Sequence, residues 1–204
     1  LRDQLMRHQE QHSTNHYYTV RANIPNSSIE RASRFLYLNR TCFNGMYRVN
    51  QEGEFNVPIG SKQQFVDDVL YFEKYSEALK NVRIWKQDFA DAIWGAAQGD
   101  LVFADPPYTV AHNQNSFIKY NERLFSWKDQ ERLLSSLIRA RNRGAIILTT
   151  NAYYPTLQEM YQTHQFYTCP ISRFCSISGL TKGRGTQNEL LISSYPINLQ
   201  EERR

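Results

Sequence analysis

The sequence predicts an α/β protein, in which a mainly helical domain carrying a hairpin precedes a Rossmann-like, largely parallel sheet. From about residue 81 onwards, short apolar runs alternate with stretches of helical periodicity, as they do in βα units. Before residue 81 the periodicity is mainly helical, and one Gly-containing segment of alternating polarity interrupts it. We therefore expect two domains, at residues 1–80 and 81–204.

The composition is that of an ordinary globular protein. Of the 204 residues, 41% are hydrophobic and 22% are charged. The net charge of +4 permits a polyanionic partner without requiring one. The 3 cysteines are odd in number and form no C-x-x-C pair, which favours a reduced, cytoplasmic compartment over secretion. No apolar run has the length of a membrane span, so we expect no membrane partner.

In the first domain, helical periodicity predicts three helices, at residues 1–12, 29–39 and 63–80. The turn-prone Ser13-Thr14-Asn15 follows the first helix, and Phe43-Asn44-Gly45 breaks the pattern after the second. Residues 46–57 alternate around Gly53 and end at Pro58, which predicts a hairpin-like loop.

In the second domain, five short apolar runs predict strands, at residues 82–85, 101–104, 145–150, 166–171 and 189–193. Helices are predicted at residues 89–97, at residues 126–141 and from Pro155 onwards. Ser126 is a good N-cap, Asp129 completes a capping box, and Gly144 ends the helix.

The tetrapeptide Asp105-Pro106-Pro107-Tyr108 directly follows the predicted strand 101–104. Ligands of open α/β sheets bind beyond the carboxyl ends of the strands. Two consecutive prolines fix the backbone and offer no N–H, so this corner presents only carbonyl oxygens and one carboxylate. It is therefore a rigid acceptor site for an amino group, although the same tetrapeptide also fits a sharp turn in which Asp105 merely caps.

Such an acceptor site suits a poorly nucleophilic exocyclic amine such as adenine N6, whose lone pair is delocalised into the ring. If the Asp105 carboxylate and the Pro106 carbonyl accept its two N–H bonds, the nitrogen moves toward tetrahedral geometry and its lone pair can attack a methyl group. Tyr108 offers a flat face on which a base extruded from duplex DNA can stack.

Two segments together resemble the Dam-type DNA adenine methyltransferases, the D12 class of adenine-N6 enzymes. One is Leu38-Asn39-Arg40-Thr41-Cys42-Phe43-Asn44-Gly45, continuing through Arg48 to Gly53-Glu54-Phe55-Asn56-Val57-Pro58. The other is Asp105–Tyr108 with Phe117-Ile118-Lys119-Tyr120 downstream. The likeness covers nearly the whole chain. It implies a DNA target-recognition domain at residues 1–80 and the C-terminal part of a catalytic methyltransferase domain at residues 81–204.

The resemblance implies transfer of a methyl group from S-adenosylmethionine to N6 of an adenine flipped out of double-stranded DNA, with GATC as the leading target. The catalytic residues would be Asp105, Pro106, Pro107 and Tyr108. The cofactor would be bound by Asp88, Phe89 and Asp105. DNA would be contacted by Arg40, Phe43, Asn44, Met46, Arg48 and Pro58. No metal site is implied. A bacterial, archaeal or phage origin and a monomeric state are expected.

Several of these roles have alternatives. The resemblance gives Arg48 a bidentate contact with guanine O6 and N7, but an exposed hairpin charge fits equally well. It places Phe43 in the gap left by the flipped base, where the family often has Tyr, but Phe43 could also hold the helix end to the core. Asp88 and Phe89 also fit a helix N-cap and a core aromatic side chain, and Arg40 fits a phosphate contact or a structural partner better than a base contact.

Two polar clusters carry weaker hypotheses. Lys182 and Arg184, in the Gly-rich segment 179–185, fit phosphate contacts and a solvated loop equally well. His8, His12 and His16 recur every fourth residue but do not form the H-E-x-x-H motif, and no further Cys or His cluster completes a zinc site. We expect these histidines to be exposed helix and turn residues.

The Gly-rich turn that approaches the cofactor after a first strand is not found in the sequence, nor is the acidic residue that follows a second strand. We therefore expect an incomplete sheet that lacks two strands between 82–85 and 101–104, so these two strands should not pair directly. Two other functions stay open: methylation of RNA or protein, and DNA binding without catalysis. Asp in first position and the hairpin around Arg48 favour DNA methylation.

Overall fold

A computed structural model describes residues 1–50, 52–66, 71–108, 125–175 and 185–197. The chain forms two compact units, Leu1–Ile84 and Trp85–Arg204. The functional roles of the domains 1–80 and 81–204 stay predictions. No helix in the described ranges is long and apolar enough to cross a membrane.

The first unit is helical, with one hairpin. Its helices are α1 (Arg2–Glu10), α2 (Thr14–Ala22), α3 (Ser28–Thr41) and α4 (Phe72–Ala78), and a 3-10 turn spans Phe43–Gly45. The sequence analysis missed α2. The Ser13 hydroxyl accepts a hydrogen bond from the His16 N–H at 3.2 Å and so caps this helix, which means that a turn-prone tripeptide starts a helix here.

The core of the first unit lies between α1, α2, α3 and the hairpin. Its buried residues are Leu5, Tyr17, Tyr37, Leu38, Cys42, Phe55, Val57 and Phe65. The Tyr17 hydroxyl donates to the Val57 carbonyl at 2.9 Å, and the Arg21 guanidinium reaches the same oxygen at 3.2 Å. A buried hydroxyl that finds a partner carries no desolvation penalty, so these contacts hold the hairpin's returning strand against α2.

The predicted helix over residues 63–80 is wrong at its start. Residues 63–66 are not helical, residues 67–70 lie outside the described ones, and α4 begins only at Phe72. Phe65 is buried, its ring contacts Tyr37, and its N–H donates to the Gln9 side chain at 3.0 Å. Burial of this ring in the core and the hydrogen bond from its backbone outweigh local helical periodicity.

The expectation that His8, His12 and His16 are exposed is also wrong, because all three are half-buried. His8 lies on the inner face of α1 and His12 follows just after the end of this helix. The His8 ring stacks on Tyr37 with centroids 4.7 Å apart. His8 Nδ1 lies 2.9 Å from His16 Nε2, and His12 Nδ1 lies 2.9 Å from the Tyr37 hydroxyl. No metal-binding cluster occurs within the described part of the chain.

The second unit is a mixed α/β structure. Its helices are α5 (Phe89–Trp94), α6 (Trp127–Asn142) and α7 (Pro155–Thr163). Its strands are β1 (Leu101–Ala104), β2 (Ile146–Ala152), β3 (Tyr167–Cys175) and β4 (Gly185–Ser193), in the sheet order β1-β2-β4-β3. The predicted α/β class is confirmed, and so is the capping box of Ser126 and Asp129 at the start of α6.

The expected largely parallel sheet is wrong for the described strands. Only β1 and β2 are parallel, whereas β4 is antiparallel to both β2 and β3. The chain returns from β3 directly into β4 without an intervening described helix, and successive strands joined in this way pair antiparallel. The sheet is therefore mixed.

The predicted strand 82–85 is wrong as well. These residues form no strand, and Ile84 and Trp85 are 76% and 65% exposed. Among the described residues, β1 pairs with β2 alone. Because residues 82–85 form no strand, the expectation that two strands are missing between them and β1 stays a prediction. A strand needs a neighbouring strand to satisfy its backbone, and the described residues provide none here.

Strand β2 places its side chains alternately on two faces. Ile147, Thr149 and Asn151 are fully buried on the face that α6 covers, where the Asn151 side chain donates to Gln130 at 3.1 Å. Thr150 lies on the opposite face. Because β1 and β2 are parallel and Ala104 pairs with Thr149, the carboxyl ends of both strands meet at one edge of the sheet.

Candidate active site and candidate DNA-contacting hairpin

Asp105 lies at this edge, immediately after β1, and is exposed. The Thr150 hydroxyl donates a hydrogen bond of 2.7 Å to Asp105 Oδ1. Among the described residues, no group donates to Asp105 Oδ2. Pro106 is buried and so fixes the corner to the protein, whereas Pro107 is exposed and Tyr108 is half-buried. One oxygen of the carboxylate is thus held by the sheet and the other is available as an acceptor.

A cavity of about 480 Å³ adjoins this corner. It brings together residues that the sequence analysis proposed for catalysis and for the cofactor, namely Asp88, Phe89, Asp105, Pro106 and Pro107. The cavity is also lined by side chains that were not proposed for catalysis or for the cofactor, among them Ile93, Phe125, Asp129, Arg132 and Leu133. Tyr108 is not among the lining residues.

Asp88 forms one end of a small charged cluster in this cavity. Its Oδ1 caps α5 by accepting from the Ala90 N–H at 2.8 Å, and it also accepts from Arg132 at 2.8 Å. The hydrogen bonds from Arg132 and then from Ala90 lower the pKa of Asp88, which therefore stays ionised. Both bonds reach Oδ1, so neither uses Oδ2.

Arg132 links the parts of this cluster. Its guanidinium carbon lies 4.1 Å from the centroid of the Phe89 ring, and a second nitrogen forms an ion pair with Asp129 at 3.2 Å. Sequence reasoning missed Arg132 because it lies 44 residues from Asp88. Only its three-residue spacing from Asp129 on one helix was visible in the sequence.

The residues proposed for DNA contact lie on or beside the hairpin of the first unit. The Phe43 N–H donates to the Pro58 carbonyl at 2.9 Å, and Val49 and Phe55 form a bridge nearer the turn. Asn44 has a φ of 53°, and the Phe43 side chain is 44% exposed. A left-handed residue directly after Phe43 turns the chain sharply, which leaves this ring at the surface.

Arg48 is held in place by the opposite strand of the hairpin. Its Nε donates to the Asn56 side-chain oxygen at 2.8 Å, and one terminal nitrogen lies 3.4 Å from the Asn56 carbonyl. A guanidinium has five N–H donors, so the edge formed by its two terminal nitrogens still has free donors. The side chain is exposed, and its orientation is fixed without loss of that edge.

Two concave surfaces flank the hairpin. A cleft of about 420 Å³ contains Arg40 and Asn44 together with Lys62, which the sequence analysis did not propose. A larger pocket of about 650 Å³ is lined by Arg21, Arg31 and Arg34 and by several aromatic rings, those of Tyr18, Phe35, Tyr47 and Phe55. Met46 is half-buried and Pro58 is exposed. Residues 117–120, Lys182 and Arg184 lie outside the described ones.

An acceptor corner beside a ligand-sized cavity, in an α/β unit, is the arrangement of an enzyme that modifies an amine. Residues 1–170 match the family described as D12 class N6 adenine-specific DNA methyltransferase. The chain therefore belongs to this family, and the resemblance drawn from the two sequence segments is confirmed.

Relatives from three kinds of organism share this similarity. The chain is 31% identical to the Type II methyltransferase M1.LlaDCHI of Lactococcus lactis subsp. cremoris, over 94% of this chain and 70% of that protein. It is 32% identical to the Type II methyltransferase M.MjaIII of Methanocaldococcus jannaschii, over 96% of this chain and 70% of that protein. It is 37% identical to the DNA N-6-adenine-methyltransferase of Escherichia phage P1, over 80% of this chain but only 22% of that protein.

Proposed function

We propose that this protein transfers the methyl group of S-adenosylmethionine to N6 of an adenine turned out of double-stranded DNA, with GATC as the target sequence. Membership of the family supports a DNA substrate and a methyl donor. The observation that carries the proposal is Asp105, beside the cavity that also holds Asp88 and Phe89. Thr150 donates to one oxygen of the Asp105 carboxylate, and no described residue donates to the other.

The chain's own groups activate the amine. Asp105 Oδ2 and the Pro106 carbonyl accept the two N–H bonds of adenine N6, which draws the nitrogen toward tetrahedral geometry and frees its lone pair. Bound S-adenosylmethionine supplies an electrophilic methyl group on a sulfonium sulfur. Positive charge would develop on the nitrogen as the new N–C bond forms and the bond between the methyl group and sulfur breaks, leaving a neutral thioether, and the Asp105 carboxylate would stabilise that charge. One amine proton then leaves by way of Asp105.

The cavity residues fit the adenosine end of that cofactor. The ring of Phe89 offers an aromatic face. The hydrogen bonds from Ala90 and Arg132 both reach Asp88 Oδ1, so Asp88 Oδ2 can accept a hydrogen bond from an exocyclic amino group. The positive charge of Arg132 lies against Phe89 and Asp88, which keeps both in fixed positions without ligand. A fixed aromatic ring and a fixed acceptor reduce the entropy lost on binding.

Several features of the first unit support double-stranded DNA as the partner. Arg48 presents a free guanidinium edge, which matches guanine O6 and N7 in the major groove. Phe43 is an exposed aromatic residue at the base of the same hairpin and can fill the gap left by a flipped base. None of the ion pairs among the described residues involves Arg21, Arg31 or Arg34. Arg31 is exposed and can reach a phosphate, whereas Arg21 and Arg34 also donate to backbone carbonyls.

The test is methylation of unmethylated plasmid DNA with labelled S-adenosylmethionine, followed by duplexes that contain one GATC site or the same site with one base changed. We expect label at adenine N6, lost with Asp105→Asn and kept with Asp91→Asn, an exposed acidic control in α5. Label that persists in Asp105→Asn would refute the mechanism. Equal labelling of duplexes with the changed site would refute GATC as the target sequence but not the methylation reaction itself.

A further inference from the structure

We propose that Thr150 is a positioning residue for the reaction, because its hydroxyl holds Asp105 so that a single carboxylate oxygen faces the incoming amine. The inference rests on the proposed function. It assigns to Thr150 a role in the orientation of Asp105 and not in contact with the substrate.

The bond between these two residues is set by the sheet. Thr150 and Asp105 lie on neighbouring parallel strands or directly after them, and the pairing of Ala104 with Thr149 fixes their separation. The resulting distance of 2.7 Å is that of a strong hydrogen bond to a carboxylate. Threonine is branched at Cβ and has a restricted χ1, so its hydroxyl is itself well oriented. The sheet, through Thr150, therefore determines the rotamer of an otherwise exposed aspartate.

Apart from its bond to Asp105, the Thr150 side chain has only a small structural role. Its side-chain hydroxyl makes no other hydrogen bond among the described residues, and the side chain is only half-buried. A hydroxyl at such a position does not need a protein partner, since water can supply one. The neighbouring Thr149 is the opposite case: it is fully buried, and its hydroxyl lies 3.4 Å from the Thr150 carbonyl. Thr149 is therefore a control of the same residue type at the next position, whose hydroxyl does not bind Asp105.

The orientation matters because a carboxylate that rotates freely presents the amine with two equivalent oxygens and several rotamers. Both N–H bonds can be accepted together only when a carboxylate oxygen lies next to the Pro106 carbonyl. Restricting the carboxylate in advance removes a reorganisation that would otherwise be part of the chemical step. The effect should appear in the rate of methyl transfer and in the part of the binding affinity that depends on the amino group of the target adenine.

The experiment compares the full chain with Thr150→Val, which keeps the shape and removes the hydroxyl, with Thr150→Ser, which restores it, and with Thr149→Val. We expect Thr150→Val to lower the single-turnover methylation rate of a GATC duplex about tenfold, the usual effect of losing one hydrogen bond to a charged group. The melting temperature should not change, and the KM for DNA should change much less than the rate. Thr150→Ser should recover most of the rate, and Thr149→Val should leave it within about twofold.

A second measurement does not depend on methyl transfer. Binding is compared for duplexes with adenine or with purine, which lacks the amino group, at the target position. The wild type should prefer adenine, Thr150→Val should lose most of that preference, and Thr149→Val should keep it. Equal preference and rate in Thr150→Val and wild type would overturn the role of Thr150 and leave the proposed function intact. No methylation and no preference for adenine in the wild type would overturn the role of Thr150 and the proposed function together. A loss of rate in Thr150→Val that is matched by a fall in melting temperature would show that Thr150 has a structural role and not a positioning role.

Discussion

Two histidines between α1, α2 and α3, His8 and His16, should make the first unit sensitive to acid. Burial, followed by the charge of His16, lowers the pKa of His8 from 6.5 to about 4. Burial, followed by the charge of His12, lowers the pKa of His16 in the same direction. The distance of 2.9 Å between the His8 and His16 nitrogens requires one of the two rings to be neutral.

The sign of the effect follows from these pKa values. Above pH 6.5 His8 is neutral in the folded and in the unfolded chain, so it does not change the free energy of unfolding with pH. As the pH falls from 6.5 toward 4, the unfolded chain binds a proton that the folded chain refuses, and stability is lost. A difference of this size corresponds to at most about 3.4 kcal/mol. Because His8 is only half-buried and solvent screens its charge, we expect about 1–2 kcal/mol.

The assay must report on the first unit alone. Trp85, Trp94 and Trp127 all lie in the second unit, so tryptophan fluorescence does not follow this event. Hydrogen exchange resolved to peptides from α1, α2 and α3 does, when it is measured between pH 4 and 7 and corrected for intrinsic exchange rates. Protection should fall with acid in the wild type and much less in His8→Gln. The control His164→Gln changes an exposed histidine of the second unit and should behave as the wild type. An identical pH dependence in wild type and His8→Gln would refute the reasoning.

Three further predictions concern the cavity and the hairpin. Arg132→Met should weaken binding of S-adenosylmethionine roughly tenfold in calorimetry, because Asp88 and Phe89 lose the cation that holds them. The control is Arg83→Met, which changes an exposed arginine. Equal affinities of Arg132→Met and the wild type would contradict a role of Arg132 in cofactor binding. Gly60→Ala should destabilise the first unit by about 1–3 kcal/mol in urea unfolding followed by hydrogen exchange, because a Cβ there would lie 2.6 Å from the Cys42 carbonyl oxygen. Gly95→Ala, where a Cβ meets no atom within 4 Å, should be nearly neutral, and a loss of similar size there would contradict the steric argument. Asn56→Ala should reduce discrimination between GATC and a site lacking its guanine about fivefold, because Arg48 loses its fixed orientation; unchanged discrimination in competition binding would exclude that role.

What the sequence predicted well was governed by local chemistry. Strand β1 and the corner at Asp105 follow from an apolar run that ends in two prolines, and the start of α6 follows from the Ser126 cap. The hairpin around Gly53 also follows from residues near each other in the chain, and Gly53 has the positive φ of 84° that such a turn uses.

What the sequence did not predict depends on contacts between distant segments. Thr150 lies 45 residues from Asp105, and Phe65 lies 56 residues from the Gln9 side chain that binds its N–H. Residues 82–85 have strand propensity but no described partner strand, so propensity alone gave the wrong answer there. Which face of a helix or strand meets which other element is set by the packing of the whole unit, and a single sequence does not contain that information in local form.

Of the three aspartates that line the cavity, Asp88 and Asp105 differ in the partner that holds them, and this difference suits two different tasks. Asp88 is held by the charged Arg132, so its negative charge is largely compensated and it serves as a hydrogen-bond acceptor. Asp105 is held by the neutral hydroxyl of Thr150, and none of the ion pairs among the described residues involves it. A carboxylate that keeps its full charge stabilises a developing positive charge on an amine nitrogen, and a neighbouring cation would cancel that effect. The choice of a hydroxyl instead of a cation beside Asp105 is therefore what the proposed chemistry requires.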